Sequence, residues 1–279
     1  MTASQGFASQ GSFAGGEAVG LVFDLAWEIR ITTDAAEAQI GSIVDRALKS
    51  SPANAAMTTG EEGTFALHRN GRGVALSGPQ QSGATAEMDP FTRHSSRPKP
   101  ADGANPSPSN GVLTTMPGTD RLTVICDDQS GSIARHVLAV GGYDFESATV
   151  AATVGFPELA ASEQWSLVTD PTNRQAPSPL AYFSIGTAFC HHTQLCRYAT
   201  VRRMPINNPR LVQESHFSSG GSHGSTRPFD THVFLHGTAS EDDAAPLILA
   251  AADTCYAHRA LSVDISSSRT VDTILSESA

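Results

Sequence analysis

The chain has 279 residues, 39% hydrophobic and only 16% charged, with a formal net charge of −10 at pH 7. That length can bury one large core or two small ones, and the negative charge argues against a nucleic-acid backbone or an anionic membrane as a partner. No apolar run approaches the ~20 residues that span a bilayer. The opening MTASQGFASQGSFAGG lacks the basic start and apolar middle of an export signal. The expectation is a cytoplasmic protein. Its four cysteines, Cys126, Cys190, Cys196 and Cys255, should then stay reduced unless they are catalytic or bind metal.

Residues 1–20 read as a flexible lead-in. VFDLAWEIRITT (22–33) partly alternates and is rich in β-formers, which predicts a strand. DAAEAQIGSIVDRALKS (34–50) follows, with Asp34 at the N-cap position and Ile40, Ile43, Val44, Ala47 and Leu48 at helical spacing; Pro52 should end this helix. TFALHRNGRGVAL (64–76) predicts a hairpin turning at Asn70-Gly71. Residues 82–110 hold few large apolar side chains and much Ser, Pro and Gly, as a long loop or linker does. Strands are predicted at 121–128, 135–145 and 165–171. APSPLAYFSIGTAFCHHTQLCRYATVRR (176–203) places prolines at a helix start and then runs apolar. INNPRLVQESHF (206–217) begins a strand, SSGGSHGSTRP (218–228) is a loop and FDTHVFLHGT (229–238) a strand. SEDDAAPLILAAADTCYAHRAL (240–261) reads as one helix with three acids in its first turn, where the helix dipole favours them.

Two stretches echo each other. FDLAWEIRITTDAAEAQIGSIVDRALKSSP (23–52) and FDTHVFLHGTASEDDAAPLILAAADTCYAH (229–258) share Phe-Asp, a strand, a short polar turn and a helix. The helices end at small-residue sites, Ser50-Ser51-Pro52 and Cys255-Tyr256. GANPSPSNGVL (103–113) likewise echoes QAPSPLAYF (175–183). The pattern predicts a degenerate internal duplication, with units at 21–120 (containing the linker 82–110) and 121–279.

The chemistry-bearing residues cluster in the second half. Cys190 and Cys255 each sit on a predicted helix, where a lone cysteine is most often a small buried hydrophobe. His191 and His192 follow Cys190, and His232 and His236 share a face of their strand. Compact zinc patterns such as Cys-x-x-Cys or His-Glu-x-x-His are missing. Most of the ten histidines should be solvated or structurally satisfied. Two functional readings stand beside that one: imidazole at His191 or His192 activates the neighbouring thiol, or Cys190, His191, His192, His232 and His236 hold a transition metal such as Zn, Fe or Cu.

APSPLAYFSIGTAFC, a helix, two strands and then ILAAADTCYAHRAL resemble the OsmC/Ohr family of thiol peroxidases over about residues 165–262. LHRNGRGVALSG (67–78) resembles that family's GGRxG strand and turn, GANPSPSNGVL a second helix opening, and residues 22–52 its final strand–helix unit with the cysteine lost. The resemblance implies an α+β fold with antiparallel sheets wrapped around two long central helices. It implies a homodimer, or an intrachain pseudo-dimer if the chain holds two units. It puts Cys190 at the peroxidatic and Cys255 at the resolving position, within disulfide reach of each other and not joined by Cys126 or Cys196. Arg69 best matches the activating arginine, with Arg135 and Arg174 as alternatives. The family's glutamate is replaced by Leu180 and Ala181, and by Asn110 upstream; Tyr256 stands where a proline follows the resolving cysteine. The activating Arg–Glu device is therefore not intact. The implied activity is thiol-dependent reduction of an organic hydroperoxide, with no cofactor, a dithiol reductant and a small hydrophobic substrate favoured by Phe183, Ile185 and Phe189. The alternatives are a metal- or histidine-assisted enzyme acting on a small organic substrate, and a non-catalytic binding module.

Overall fold

In the computed structural model the described residues are 1–76, 78, 80–90, 92, 113–116, 135–157, 164–220 and 222–274. The expected lead-in is instead an internal strand. β1 (Thr2–Gln10) pairs antiparallel with β2 (Val19–Thr32) on one side and with β6 (Arg135–Asp144) on the other. Its composition hides it: TASQGFASQ has one aromatic and no aliphatic side chain larger than alanine, yet Ser4, Gln5 and Ala8 are all buried.

Thr33 accepts the N–H of Ala35 and turns the chain. Helix α1 (Glu37–Ser50) then begins two residues later than predicted, with Ala36 rather than Asp34 at its N-cap. It lays Ile40 and Val44 on Ile29 of β2. Pro52 does not simply end it. Ser51 adopts an extended conformation and its hydroxyl caps a second helix, α2 (Pro52–Thr58), by accepting the Asn54 N–H at 3.3 Å. Proline suits the first position of that helix because its missing N–H would have had no partner there. β3 (Thr64–Arg69) and β4 (Arg72–Val74) form the predicted hairpin, with Asn70 and Gly71 at φ of 48° and 80°, as a type I′ turn requires.

β5 (Leu113–Met116), β6, β7 (Thr149–Gly155) and β8 (Gln164–Thr169) extend the first sheet. The strand predicted at 121–128, with Cys126, Asn110 and most of the 82–110 linker, lies outside the described residues. After β8 the buried Asp170 organises the chain. Its carboxylate accepts the backbone N–H groups of Thr172, Arg174 and Gln175 at 2.7–2.9 Å. These bonds, led by that from Gln175, hold its pKa well below the usual carboxylate range. The loop delivers Ser178 as N-cap and Pro179 as first residue of the long helix α3 (Pro179–Val201).

β9 (Ile206–Glu214) follows. The predicted loop at 218–228 is in part a hairpin of β10 (Phe217–Gly220) and β11 (His223–Thr226). Its Gly224 sits so tightly on the Ser51–Pro52 backbone that a Cβ would lie 2.5 Å from the Ser51 carbonyl carbon. β12 (Asp230–Gly237) leads to α4 (Glu241–Thr254), capped by the Ser240 hydroxyl at the Asp243 N–H. The single helix predicted across 240–261 is broken at Cys255, which is extended and begins α5 (Tyr256–Ser262). β13 (Ser267–Ile274) closes the described chain.

The fold is α+β. One sheet runs β13-β2-β1-β6-β7-β8-β5, a second runs β4-β3-β12-β9, and β10 and β11 stand apart. All pairings are antiparallel except two: β13 with β2, and β3 with β12. Leu195, Tyr198 and Ala199 of α3 meet Leu247, Ile248 and Ala251 of α4 over Phe65, Leu67, Val233 and Leu235 of the second sheet, which makes the main core. Strands of the two expected units share both sheets: β2 and β5 lie with β6, β7, β8 and β13, and β3 and β4 with β9 and β12.

That exchange has a regular form. β2–α1–Ser51–α2–β3 and β12–α4–Cys255–α5–β13 have the same element order. α1 and α4 have 14 residues each and α2 and α5 seven each. Ser51 and Cys255 share backbone angles near φ −75° to −80° and ψ 107° to 115°. β2 and β12 each lie between one parallel and one antiparallel neighbour.

Candidate thiol site

Cys190 lies on α3, and Cys255 fills the one-residue gap between α4 and α5. The Cys255 thiol lies close enough to Cys190 to lower its pKa, and no disulfide joins the two. The break at Cys255 is what shapes the site. A new helix starting at Tyr256 has first-turn N–H groups without intrahelical acceptors, and those of Tyr256 and Ala257 help to lower the Cys190 pKa.

The two thiols are unequal. Cys190 is half-buried and so reachable from solvent, whereas Cys255 is 0% exposed. The neighbouring Cys255 thiol does most to lower the Cys190 pKa, to about 7; burial opposes this and the N–H groups of Ala257 and Tyr256 add to the lowering. Burial pushes Cys255 well above the usual thiol value, and so does its role as donor to Cys190. Cys190 is thus the partner that ionises, and Cys255 the thiol that stabilises it.

Behind Cys255 lies a histidine that the sequence reading passed over. His258 Nδ1 is 3.4 Å from the Cys255 sulfur, and the His258 backbone N–H donates to the same atom at 3.4 Å. Its signal is Cys-x-x-His at a helix start, where the cap and the third helical residue face each other. His191 follows Cys190 but points elsewhere, since one residue turns an α-helix by about 100°. It is fully buried, with its ring 4.8 Å from that of His258 and 5.6 Å from that of Phe65. Both His191 nitrogens and His258 Nε2 lack hydrogen-bond partners; the Ile248 backbone lies near His191 without meeting hydrogen-bond geometry. Burial lowers the His191 pKa to about 4 and takes His258 well below its ordinary value, so both rings are neutral.

The remaining expected site residues go elsewhere. His192 Nε2 bonds the Pro209 carbonyl at 2.8 Å, and the ring lies 3.8 Å from the Cys196 sulfur. His232 is buried against Asp230 and His68, each at 3.4 Å. His236 bonds Asp89 at 2.8 Å. Cys190, His191, His192, His232 and His236 therefore do not form one metal site, and among the described residues no three His, Cys, Asp or Glu side chains converge as a metal would require. Arg69 does not serve Cys190. It pairs at 3.9 Å with Glu241, the first residue of α4, while Cys255 follows the last, about 21 Å away at 1.5 Å per residue. Neither Arg135, on β6, nor Arg174, in the Asp170 loop, contributes to lowering the Cys190 pKa. Phe183 packs on Phe217 and Phe229. Ile185 and Phe189, 49% and 68% exposed, line an open groove of about 400 Å³ with Ala188, Pro209 and Leu211 that does not include Cys190.

No family model matches the chain, and no curated protein is significantly similar to it. Three solved structures share part of its architecture. An OsmC like protein from Mycoplasma pneumoniae is 17% identical, covering 50% of this chain and 96% of its own, with a TM-score of 0.37. An osmc-like hydroperoxide resistance protein from Jannaschia sp. CCS1 is 23% identical over 46% of this chain and 86% of its own, TM-score 0.29. The organic hydroperoxide resistance protein OhrB of Bacillus subtilis is 15% identical over 50% and 98%, TM-score 0.30. No helix is long and apolar enough among the described residues to cross a membrane.

Proposed function

We propose that the protein reduces organic hydroperoxides, with Cys190 as the attacking thiolate and Cys255 as the resolving thiol. One observation carries this: a reachable cysteine with its pKa lowered to about 7 lies beside a fully buried cysteine whose pKa is raised. The thiolate is the nucleophile, and at neutral pH about half of Cys190 is in that form. It attacks the outer peroxide oxygen, the O–O bond breaks, and an alcohol leaves once protonated. The sulfenic acid left on Cys190 condenses with Cys255 to a disulfide with loss of water, and an external dithiol reopens it. The Cys255 thiol and the N–H groups of Tyr256 and Ala257 would do here what the Arg–Glu device does in the OsmC/Ohr family. In the same reading, the unit with Ser51 in the place of Cys255 is a degenerate copy, and the chain is its own pseudo-dimer in the cytoplasm.

The test is a thiol count before and after one equivalent of cumene hydroperoxide, with peptide mapping. The expected result is loss of two thiols and a Cys190–Cys255 bridge. Unchanged thiols with the peroxide left intact would overturn the proposal.

A further inference from the structure

We propose that His258 accepts the proton of Cys255 as the disulfide closes and returns it as the disulfide is reopened. This rests on the Cys190–Cys255 pair acting as a redox dithiol. Three features of the geometry point to it. Among the described residues, His258 Nδ1 is the side-chain acceptor that meets the buried Cys255 thiol, at 3.4 Å. The His258 backbone N–H on the same sulfur holds the two residues in register, as in a capping box. His258 also lines a cavity of about 170 Å³ together with Glu62, Gln80, Asp253 and Arg259.

Cys255 must lose its proton to attack the Cys190 sulfenic acid. Burial opposes the imidazolium as it opposes the free thiolate, so the proton moves only together with S–S bond formation. With a neutral imidazole against it, the proton moves to Nδ1 while the sulfur's electron pair forms the S–S bond and the S–O bond breaks. The departing hydroxide takes up a proton and leaves as water, so the sulfenic sulfur is reduced, the thiol is oxidised, and no charge remains once the imidazolium gives up its proton. In the reverse direction a dithiol attacks at Cys190, and Cys255 leaves as a thiolate that takes up the reductant's proton through His258 Nδ1. The groups facing His258 are Cys255 and Arg259 beside it in sequence, His191 of α3, Asp253 of α4 and Glu62 before β3. The neutral state of His191 keeps a second positive charge away from the ring when it is protonated.

The experiment needs no peroxide, so it stands apart from the peroxidase reading. In a Cys126→Ser/Cys196→Ser background, an aromatic disulfide, 5,5′-dithiobis(2-nitrobenzoate), reports both thiols. Attack by Cys190 releases one coloured thiolate, and attack by Cys255 on the mixed disulfide releases a second. His258→Phe keeps a ring against Phe65 and His191 and removes Nδ1. The expected result is an unchanged first phase and a second phase slower by about 10²–10⁴-fold, the usual worth of positioned proton transfer, with His258→Asn also slow because its amide accepts a hydrogen bond but not the proton. Slowing of the second phase by less than about tenfold, or equal slowing of both phases, would overturn the proposal. If the variants do not fold, the unsubstituted His258 decides in heavy water: a solvent isotope effect confined to the second phase supports the relay, and its absence refutes it.

Discussion

Replacing Cys255 by alanine removes the largest influence that lowers the Cys190 pKa. A hydrogen bond to a charged group is worth about 1.5–3 kcal/mol, and one pKa unit corresponds to 1.36 kcal/mol. Losing the bond should therefore raise Cys190 by about 1–2 units, from about 7 towards 8–9. The N–H groups of Tyr256 and Ala257 remain and oppose a full return. Cys255→Ser keeps an O–H donor and should leave most of the effect in place. The assay is the rate of iodoacetamide alkylation against pH, in a background lacking Cys126 and Cys196. Below its midpoint the parent loses about tenfold in rate per pH unit as the thiolate is protonated. At pH 6 the alanine variant should react about 10–100-fold more slowly than the parent and converge with it at high pH. Alanine also removes the cap of α5, about 1 kcal/mol, so far-UV circular dichroism must show the fold intact. A midpoint unmoved in the folded alanine variant would refute the assignment and leave the backbone N–H groups as the cause.

With cumene hydroperoxide, Cys255→Ser should consume about one equivalent and then stall with a trappable sulfenic acid on Cys190; sustained turnover at the parental rate would remove the resolving role. His191→Leu should stabilise the protein by about 1 kcal/mol in urea unfolding, because two buried nitrogens without partners are removed, and a comparable loss would count against this. Gly224→Ala should cost about 1–3 kcal/mol through its clash with the Ser51–Pro52 backbone, measured by the same unfolding midpoint; unchanged stability would show that the hairpin is not seated there. Asp170→Asn should be less stable at neutral pH. The folded pKa of Asp170 is depressed, so its contribution is complete above the unfolded value near ~3.9 and fades as pH falls towards the folded one. The gap between parent and variant should narrow on acidification, and a gap that widens would contradict the sign.

What could be read from the sequence was local. The Asn70-Gly71 turn, the Pro179 helix start and the acidic first turn of α4 each depend on neighbouring residues alone, and each is present. β1 was missed because alternation of Ser, Gln and Ala carries little hydrophobic signal although the sheet buries it on both sides. The break at Cys255 has no marker in the sequence, because ILAAADTCYAHRAL holds neither Gly nor Pro; what interrupts the helix is the extended Cys255 backbone and the packing of α5 on α2 and α3. Cys190 and Cys255 could be singled out by resemblance to a family, but the inequality of the two thiols arises from burial and from which N–H groups face which sulfur, and no spacing encodes that. Arg69 and the strand histidines went astray for a related reason: residue type suggested chemistry, while sheet register gave them Glu241, Asp230, His68 and Asp89 as partners.

The crossed strands bear on how the chain reaches this state. β3 pairs with β12 across 166 residues, and the β13–β2 seam joins residues 242 apart. Contacts so distant in sequence are slow to find. On the ribosome, β2 would emerge with one edge open and wait for a strand made 242 residues later. Neither half can complete its sheet alone, so loss of β13 should unsettle the N-terminal half as much as the C-terminal one. Such a chain should fold late and as a whole, and its nascent form, with an unpaired strand edge, is where chaperone demand should fall.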